Sequence, residues 1–518
     1  MKPTVILRAC PDYDAERIRG IVRDGLDRMD LTPSGRTLVK PNAVASGKFF
    51  PHAYTRPEFL EGVLNALADR ARDQGARLRS LTLGERCGIT MPTRFAFSQA
   101  GYYPLLQRVP GLAFSHFEEE VQVPIPLYHE GRLRDFFFTP EPVASADFFV
   151  NCPKFKAHPW TTVTFGQKNY IGIQDDRHRL IDHDHLLERK VADLQYILQP
   201  QLVVIDAITA GEGRMLTPLP FDLGLVALGN NQVAFDAVCC HIAGVDPRSI
   251  EHIRTAHERG FGPIDLEQID ITGDLSLAAA RERAEGFRTG LIRVEDYFEG
   301  TNIRAYGGRP PGDTHAYCWG GCPGALEEAI EILRLVDEAT DEKMPPVHLV
   351  FGRYEGEIPA RDGEKVVFIG DCATFHGDIA GRPVQIESRY IDRSQLDPRR
   401  ATEEDIFLKM WKVGRRFRKA KREQVLRLAG CPVSVAEQVL ALVYLGGLKN
   451  PYFEASTAVP FASAYLSSRT RRLLARVFGQ PYQRSTPALR GGARPSQSLP
   501  EPGQPAPLEG RGLASGAD

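Results

Sequence analysis

Short apolar runs alternate with helix-period stretches through residues 1–296, and this alternation limits the chain to a sheet layered with helices. The strand-like runs occupy 4–9, 37–40, 81–84, 148–152, 202–208 and 223–228. Between the second and third, residues 57–74 place Phe59, Leu60, Val63, Leu64 and Leu67 on one helical face. Short apolar strands separated by amphipathic helices predict an α/β sheet with helices on both faces. A shorter alternation follows. Residues 324–336 have helical spacing, 347–351 and 365–370 are strand-like, 402–421 form a charged helix, 424–428 a strand and 433–445 a helix. This predicts a second, smaller, flavodoxin-like α/β domain.

A chain of 518 residues exceeds one ordinary domain, and its 42% hydrophobic content suffices for two cores. The expected organisation is an N-terminal α/β sheet domain over 1–296 and a linker rich in Gly, Pro, Arg and Asn over 297–314. A cysteine-containing α/β domain over 315–483 and a disordered tail over 484–518 complete it. With 64 basic and 66 acidic residues the net charge is −2, so bulk attraction to nucleic acid or membrane is not expected, although a local basic patch is compatible with it. No apolar run approaches the roughly 20 residues that span a bilayer. The N-terminal residues 1–8 lack the apolar core and cleavage site of a signal peptide. A cytoplasmic protein without membrane insertion is the expectation.

Nine cysteines, an odd number, point to free thiols or metal ligands rather than to a disulfide framework. Four of them stand where a strand or loop passes into a helix. Cys318 and Cys322 lie in Tyr317-Cys318-Trp319-Gly320-Gly321-Cys322-Pro323-Gly324. Cys372 follows an apolar run through Gly370-Asp371, and Cys431 sits between Gly430 and Pro432. Thiolates from three loops at one sheet edge can meet at a soft metal centre, and neighbouring glycines let backbone amides approach it. A 4Fe–4S cluster held by Cys318, Cys322, Cys372 and Cys431 is the leading expectation. Tetrahedral zinc and four packed thiols are the alternatives. Cys10, Cys87, Cys152 and the helical pair Cys239-Cys240 are expected to pack in the core.

The order of these motifs resembles the small electron-transfer subunit of nickel–iron hydrogenases and its relative in respiratory complex I. That family has a cysteine pair before its first helix, then Gly-x-Cys-Ala-x-x-Gly-Gly, then Gly-Cys-Pro. Here the counterparts are Cys318 and Cys322, then Gly370-Asp371-Cys372-Ala373-Thr374-Phe375-His376-Gly377, then Gly430-Cys431-Pro432. The resemblance implies that the four cysteines ligate a proximal 4Fe–4S cluster. Two departures stand out. The first pair is spaced by three residues, and His376 replaces a frequent glycine.

Polar clusters recur at strand ends in the first half. They are Lys40-Pro41-Asn42, Pro153-Lys154-Phe155-Lys156-Ala157-His158, Lys168-Asn169-Tyr170-Ile171-Gly172, Asp206 closing a strand, and Ala234-Phe235-Asp236-Ala237. In this order they resemble the prokaryotic family catalogued as domain of unknown function 362, over roughly residues 1–275. Its members often carry iron–sulfur modules, and the resemblance leaves substrate and chemistry open. Gathered at one sheet edge, Lys40, Asn42, Lys154, Lys156, Lys168, Asn169 and Asp236 would bind a small carboxylate or phosphate. His158, His183 and Asp206 are the candidates for proton transfer. Each lysine taken singly also reads as a solvated strand-end charge. The group 178–185, with His178, Asp182, His183, Asp184 and His185, reads as a solvated loop or relay more than a metal site. No GxGxxG and no Walker A motif occurs, so no nucleotide site is expected.

The expected activity is that of an iron–sulfur oxidoreductase. Electrons would arrive from a ferredoxin-like carrier, docked on the basic stretch that contains Arg415, Arg416, Arg418, Lys419, Lys421 and Arg422. They would pass to a small organic anion. The alternatives are a non-catalytic electron-transfer or cluster-carrying accessory protein and a zinc-stabilised binding protein.

Overall fold

The computed structural model describes residues 2–479 except 90, 180, 184, 291, 312–320, 393–395, 401–404 and 420–421. Cys318 and the expected tail over 484–518 therefore lie outside the described residues.

The N-terminal sheet opens with β1 (Thr4–Ala9), β2 (Gly35–Pro41), β3 (Leu78–Glu85) and β4 (Leu112–His116). A separate hairpin follows, β5 (Gln122–Pro126) with β6 (Phe136–Pro140). The sheet resumes with β7 (Phe148–Cys152), β8 (Lys154–His158), β9 (Thr162–Val163), β10 (Leu202–Glu212), β11 (Leu219–Gly229) and β12 (Asp270–Gly273). Its order is β12-β1-β11-β10-β7-β2-β3-β4, with β8 paired to β10 and β9 to β8. Strands β7, β2, β3 and β4 are mutually parallel.

Why these runs are continuously apolar follows from what covers them. In β10, Leu202 and Val204 pack with the helices Ala15–Arg28 and Pro57–Asp73. Val203 and Ile205 point the other way, toward the helix Gln232–Ile242. Both faces are covered, so alternation of apolar and polar residues disappears.

The second sheet has β13 (Ile303–Gly307), β14 (Val347–Arg353), β15 (Lys365–Ile379), β16 (Arg382–Ile386) and β17 (Val425–Leu428). Strands β13, β14, β15 and β17 run parallel, and β16 returns from β15 as a hairpin. Leu349, Phe351, Val367 and Ile369 face the helices Cys322–Val336 and Val435–Gly446. Val350, Val366 and Phe368 face the opposite side with Phe375 and Ile379 of the hairpin.

Two sequence expectations need correction here. The stretch 297–314 is not simply a linker, because β13 lies within it. Ile303 and Ala305 are buried and pair in register with Val347 and Leu349. Its Gly-, Pro- and Arg-rich flanks hide a short edge strand. Strand β15 does not end at Gly370 but bulges there, register passing from Phe351↔Ile369 to Arg353↔Thr374.

Sequence reading also missed the helix Ala455–Phe478. It packs back on the first domain. Phe461 meets Phe95 edge-on at 5.3 Å, Glu454 pairs with Lys48 at 3.0 Å, and Ser468 reaches Glu118 at 3.4 Å. Glu328, on the helix Cys322–Val336, ties the domains more tightly. It accepts from the backbone N–H groups of Met215 (2.8 Å), Leu216 (2.9 Å) and Thr217 (2.7 Å) and from the Thr217 hydroxyl (2.5 Å).

Candidate functional site

A cavity of about 320 Å³ lies between the two domains, where the carboxyl ends of both sheets face each other. The first domain contributes Val44 and Ala45 after β2, Gly88 after β3 and His158 at the end of β8. The second contributes Gly321, Ala325, Pro432 and Val433. Most of the wall is apolar, with Phe49, Phe50, Met91, Phe95, Met410 and Phe461. A polar recess of about 50 Å³ adjoins it and shares His158, Lys168 and Arg179 with it.

The recess is built from parallel strand ends. Lys40 on β2 stands opposite Asn151 on β7 in register. Its ammonium contacts Glu85, which ends β3, at 2.8 Å and the Asn169 side-chain oxygen at 3.2 Å. Burial lowers the Lys40 pKa and raises that of Glu85, and each holds the other's charge in place. The Asn169 amide donates to the Asn151 side chain at 2.8 Å, while its oxygen also accepts from Asn42 at 3.1 Å. The other end of Asn42, its Oδ1, is buried with no hydrogen-bond partner among the described residues. Asp236 accepts from the Gly166 and Gln167 amides, both at 2.8 Å, and so fixes the turn that presents Lys168 and Asn169. Burial pushes the Asp236 carboxyl up to about 7, against the pull of those two amides.

Lys156 is buried and donates to the carbonyls of Ala53 (2.8 Å) and Met215 (3.0 Å). Burial takes it down to about 7, opposed by Glu328 and reinforced by Lys154. Lys168 has no carboxylate partner among the described residues. Burial, then Lys156, Arg179 and Lys40, depress it well below the ordinary lysine range. Buried basic side chains thus outnumber carboxylates on the recess wall, an arrangement whose charge suits an anion.

His158 and His183 stand on the cavity wall. The His158 Nδ1 accepts from the Trp160 amide (3.1 Å) and the Thr161 amide (3.3 Å). Thr162, at φ +58, makes the tight turn that folds those amides back. Burial and then Lys168 hold the ring well below the usual histidine range. A neutral ring accepting at Nδ1 carries its proton on Nε2, and that atom is buried with no hydrogen-bond partner among the described residues. His183 follows Asp182, which has φ +54 and is gripped by Arg134 through two bonds of 2.7 and 2.9 Å. Lys190 donates to the carbonyls of His178, Arg179 and Ile181, fixing the same loop. Burial, Lys190 and Lys168 keep His183 neutral, and its Nδ1 has no hydrogen-bond partner among the described residues. One neutral ring thus offers a donor to the cavity and the other an unpartnered nitrogen.

Other predicted residues are spent elsewhere. Asp206 is fully buried and bonds Lys154 at 2.9 Å, the Tyr13 hydroxyl at 2.9 Å and the Arg56 amide at 3.0 Å. Neither Asp206 nor Lys154 lines the cavity. These buried contacts pin β8 to β10. Cys152, Cys239 and Cys240 are packed in the core. His183 and His185 belong to no metal-ligand group among the described residues. Glu85, Arg179 and Tyr13 were missed. Only Glu85 had a sequence signal, since it ends a strand as Lys40 does.

The second domain brings cysteines together behind the cavity wall that Gly321, Pro432 and Val433 form. A Cβ at Gly370 would stand 3.4 Å from Cys322 Sγ and 3.5 Å from Cys372 Sγ, and 3.8 Å from the Gly430 carbonyl oxygen next to Cys431. Glycine at φ +104 makes both the bulge and the clearance between the two sulfurs. The Val433 amide donates to Cys322 Sγ at 3.3 Å. Burial raises the Cys372 thiol. Soft donors, a glycine-cleared space and an amide aimed at sulfur suit a thiolate-ligated centre. Among the described residues, no three His, Cys, Asp or Glu side chains are grouped to hold a metal ion, Cys318 lying outside them.

Residues 37–241 match the family described as domain of unknown function (DUF362). The chain is 24% identical over 290 residues to the thylakoid-associated protein sll1697 of Synechocystis sp., a match covering 52% of this chain and 83% of that protein. Among solved structures, it is similar to the lactate racemase apoprotein of Thermoanaerobacterium thermosaccharolyticum. The identity there is 10% and the TM-score 0.32, over 67% of this chain and 68% of the other.

Proposed function

We propose that the protein is an iron–sulfur oxidoreductase that passes electrons from a small carrier protein to an organic anion with an apolar body. The observation that carries this reading is the shared cavity. Its cationic recess belongs to the first domain, and its far wall holds Gly321 and Pro432, which adjoin Cys322 and Cys431, and Val433, whose amide donates to Cys322 Sγ. Cys322, Cys372 and Cys431, with Cys318, would hold a 4Fe–4S cluster. Such a cluster supplies one-electron transfer at a potential set by burial and by hydrogen bonds to sulfur.

The chain's own residues do the rest. Lys168 and Arg179 neutralise the anionic head, and the His158 Nε2–H donates to one of its oxygens. The free His183 Nδ1 accepts from a protonated group on the ligand. The aromatic and methionine wall receives the apolar body and excludes water, which strengthens each polar contact.

Calorimetry with benzoate, an anion with an apolar ring, tests the division of labour on full-length, anaerobically purified protein. Lys168→Ala should weaken benzoate binding by about tenfold or more, the worth of one charge-assisted bond. Iron content should stay unchanged. Cys372→Ser should do the reverse. Equal benzoate affinity in Lys168→Ala and the unaltered protein would remove the recess from the proposal.

A further inference from the structure

The helices Ile406–Lys419 and Ala455–Phe478 carry six and four basic residues respectively, and neither contains Asp or Glu. The net charge of −2 hides this asymmetry. On the longer helix, Val459, Ser463, Leu466, Thr470, Leu473 and Val477 fall at alternating spacings of four and three residues, which puts them on one face. That face points outward, with Leu466 at 66% and Leu473 at 62% exposure, while Ser468 on the opposite side is buried against Glu118. Arg469 and Arg476 flank the apolar stripe on one side and Arg471 on the other. The shorter helix adds exposed Leu408 and Trp411, the latter beneath the Arg415 guanidinium at 5.2 Å. The two helices are joined through Phe407, whose ring meets Tyr465 at 4.8 Å and Phe461 at 6.1 Å.

We propose that the outward face of the helix Ala455–Phe478 docks on an anionic lipid bilayer. An outward apolar stripe bordered by arginines is the pattern of a helix lying in the headgroup region. Among the described residues, no helix is long and apolar enough to cross a membrane, so the helices lie on the surface rather than span it. A second copy of the chain is a poor occupant. Its arginine borders would meet arginines, since neither helix carries a carboxylate and the neighbouring Asp405 and Glu119 already face Arg469 and Arg471. An acidic protein would satisfy the arginines but not the exposed leucines and valines. Phe407 and Phe453 are exposed and also line the cavity, so its mouth lies beside the docking face.

The test uses the full-length chain, sedimented with vesicles of phosphatidylcholine alone or mixed equally with phosphatidylglycerol. Binding to the mixed vesicles alone, falling as salt is raised, is expected. The double substitution Leu466→Glu with Leu473→Glu should cut the bound fraction by about tenfold or more. If that variant melts early, Val459→Ser and Val477→Ser carry the same test. Absence of binding to the mixed vesicles would overturn the proposal, as would binding unchanged in all these variants. A lipid-free dimer that the double substitution splits would assign the face to a second copy instead.

Discussion

Removing the Glu328 carboxylate should loosen the whole cavity. That side chain accepts four hydrogen bonds from residues 215–217, and two of those residues, Met215 and Leu216, line the cavity wall. In Glu328→Ala, three backbone N–H groups and a hydroxyl lose their acceptor in a closed cleft. A buried donor left unsatisfied costs about 1–3 kcal/mol, and water entering the vacated space recovers part of it, so the expected loss is about 3–5 kcal/mol. Glu328→Gln keeps one carbonyl acceptor and should lose about half as much. Lys156 reports independently. Glu328 is the charge that most opposes the fall of Lys156 to about 7, so either substitution should lower that lysine further. The assay is urea unfolding of the full-length chain, following the first transition, since a two-domain chain need not unfold in one step. A loss below about 1 kcal/mol in Glu328→Ala would refute the clamp, because no partner of that carboxylate can then have been left dry.

Breaking the Lys40–Glu85 pair on one side only, as Lys40→Met, should destabilise the first domain by about 3–5 kcal/mol, and the double variant Lys40→Met with Glu85→Gln should recover much of that. Denaturant midpoints of the three proteins check this. Asp236 titrates at about 7 when folded and near 4 when unfolded, so the protonated form is favoured by folding. Its contribution is complete below about pH 4 and is lost as pH rises through 7, amounting to about 4 kcal/mol. Asp236→Asn should flatten the unfolding free energy by that amount across this window, read as the difference between the two pH profiles. Anion binding should restore the proton that burial and neighbouring cations weaken on Lys168. Benzoate affinity should therefore fall as pH rises, with proton uptake visible as buffer-dependent heat, and Lys168→Ala should lose that dependence.

What the sequence makes legible is the part governed by local periodicity. Strands β1 and β7 fall on the predicted boundaries, and β2, β3, β10 and β11 are longer than the apolar runs that signalled them. Polar strand ends are less readable. The alternation Lys154-Phe155-Lys156-Ala157-His158 suggests one wet face, yet all five residues are buried, because β8 is covered on both sides. The lysines there satisfy their charge through partners far away in sequence, Asp206 and the carbonyls of Ala53 and Met215, which no local pattern announces. The same holds for β13, an edge strand whose register depends on β14 some forty residues later. The helix Ala455–Phe478 escaped notice because Pro460 and a run of small residues interrupt its apolar spacing, and its packed side is set by Phe95 and Glu118 of the other domain. The cysteine motifs were visible from spacing alone. The bulge in β15 that sets Gly370 between Cys322 and Cys372 was not, since it depends on pairing with β14.

Anaerobic iron and acid-labile sulfide analysis of the full-length protein, with electron paramagnetic resonance after reduction, addresses the redox proposal most directly. About four iron and four sulfide per chain, falling sharply in Cys322→Ser and Cys431→Ser, are predicted. Protein that carries zinc, or no metal and no sulfide, after anaerobic purification would contradict it.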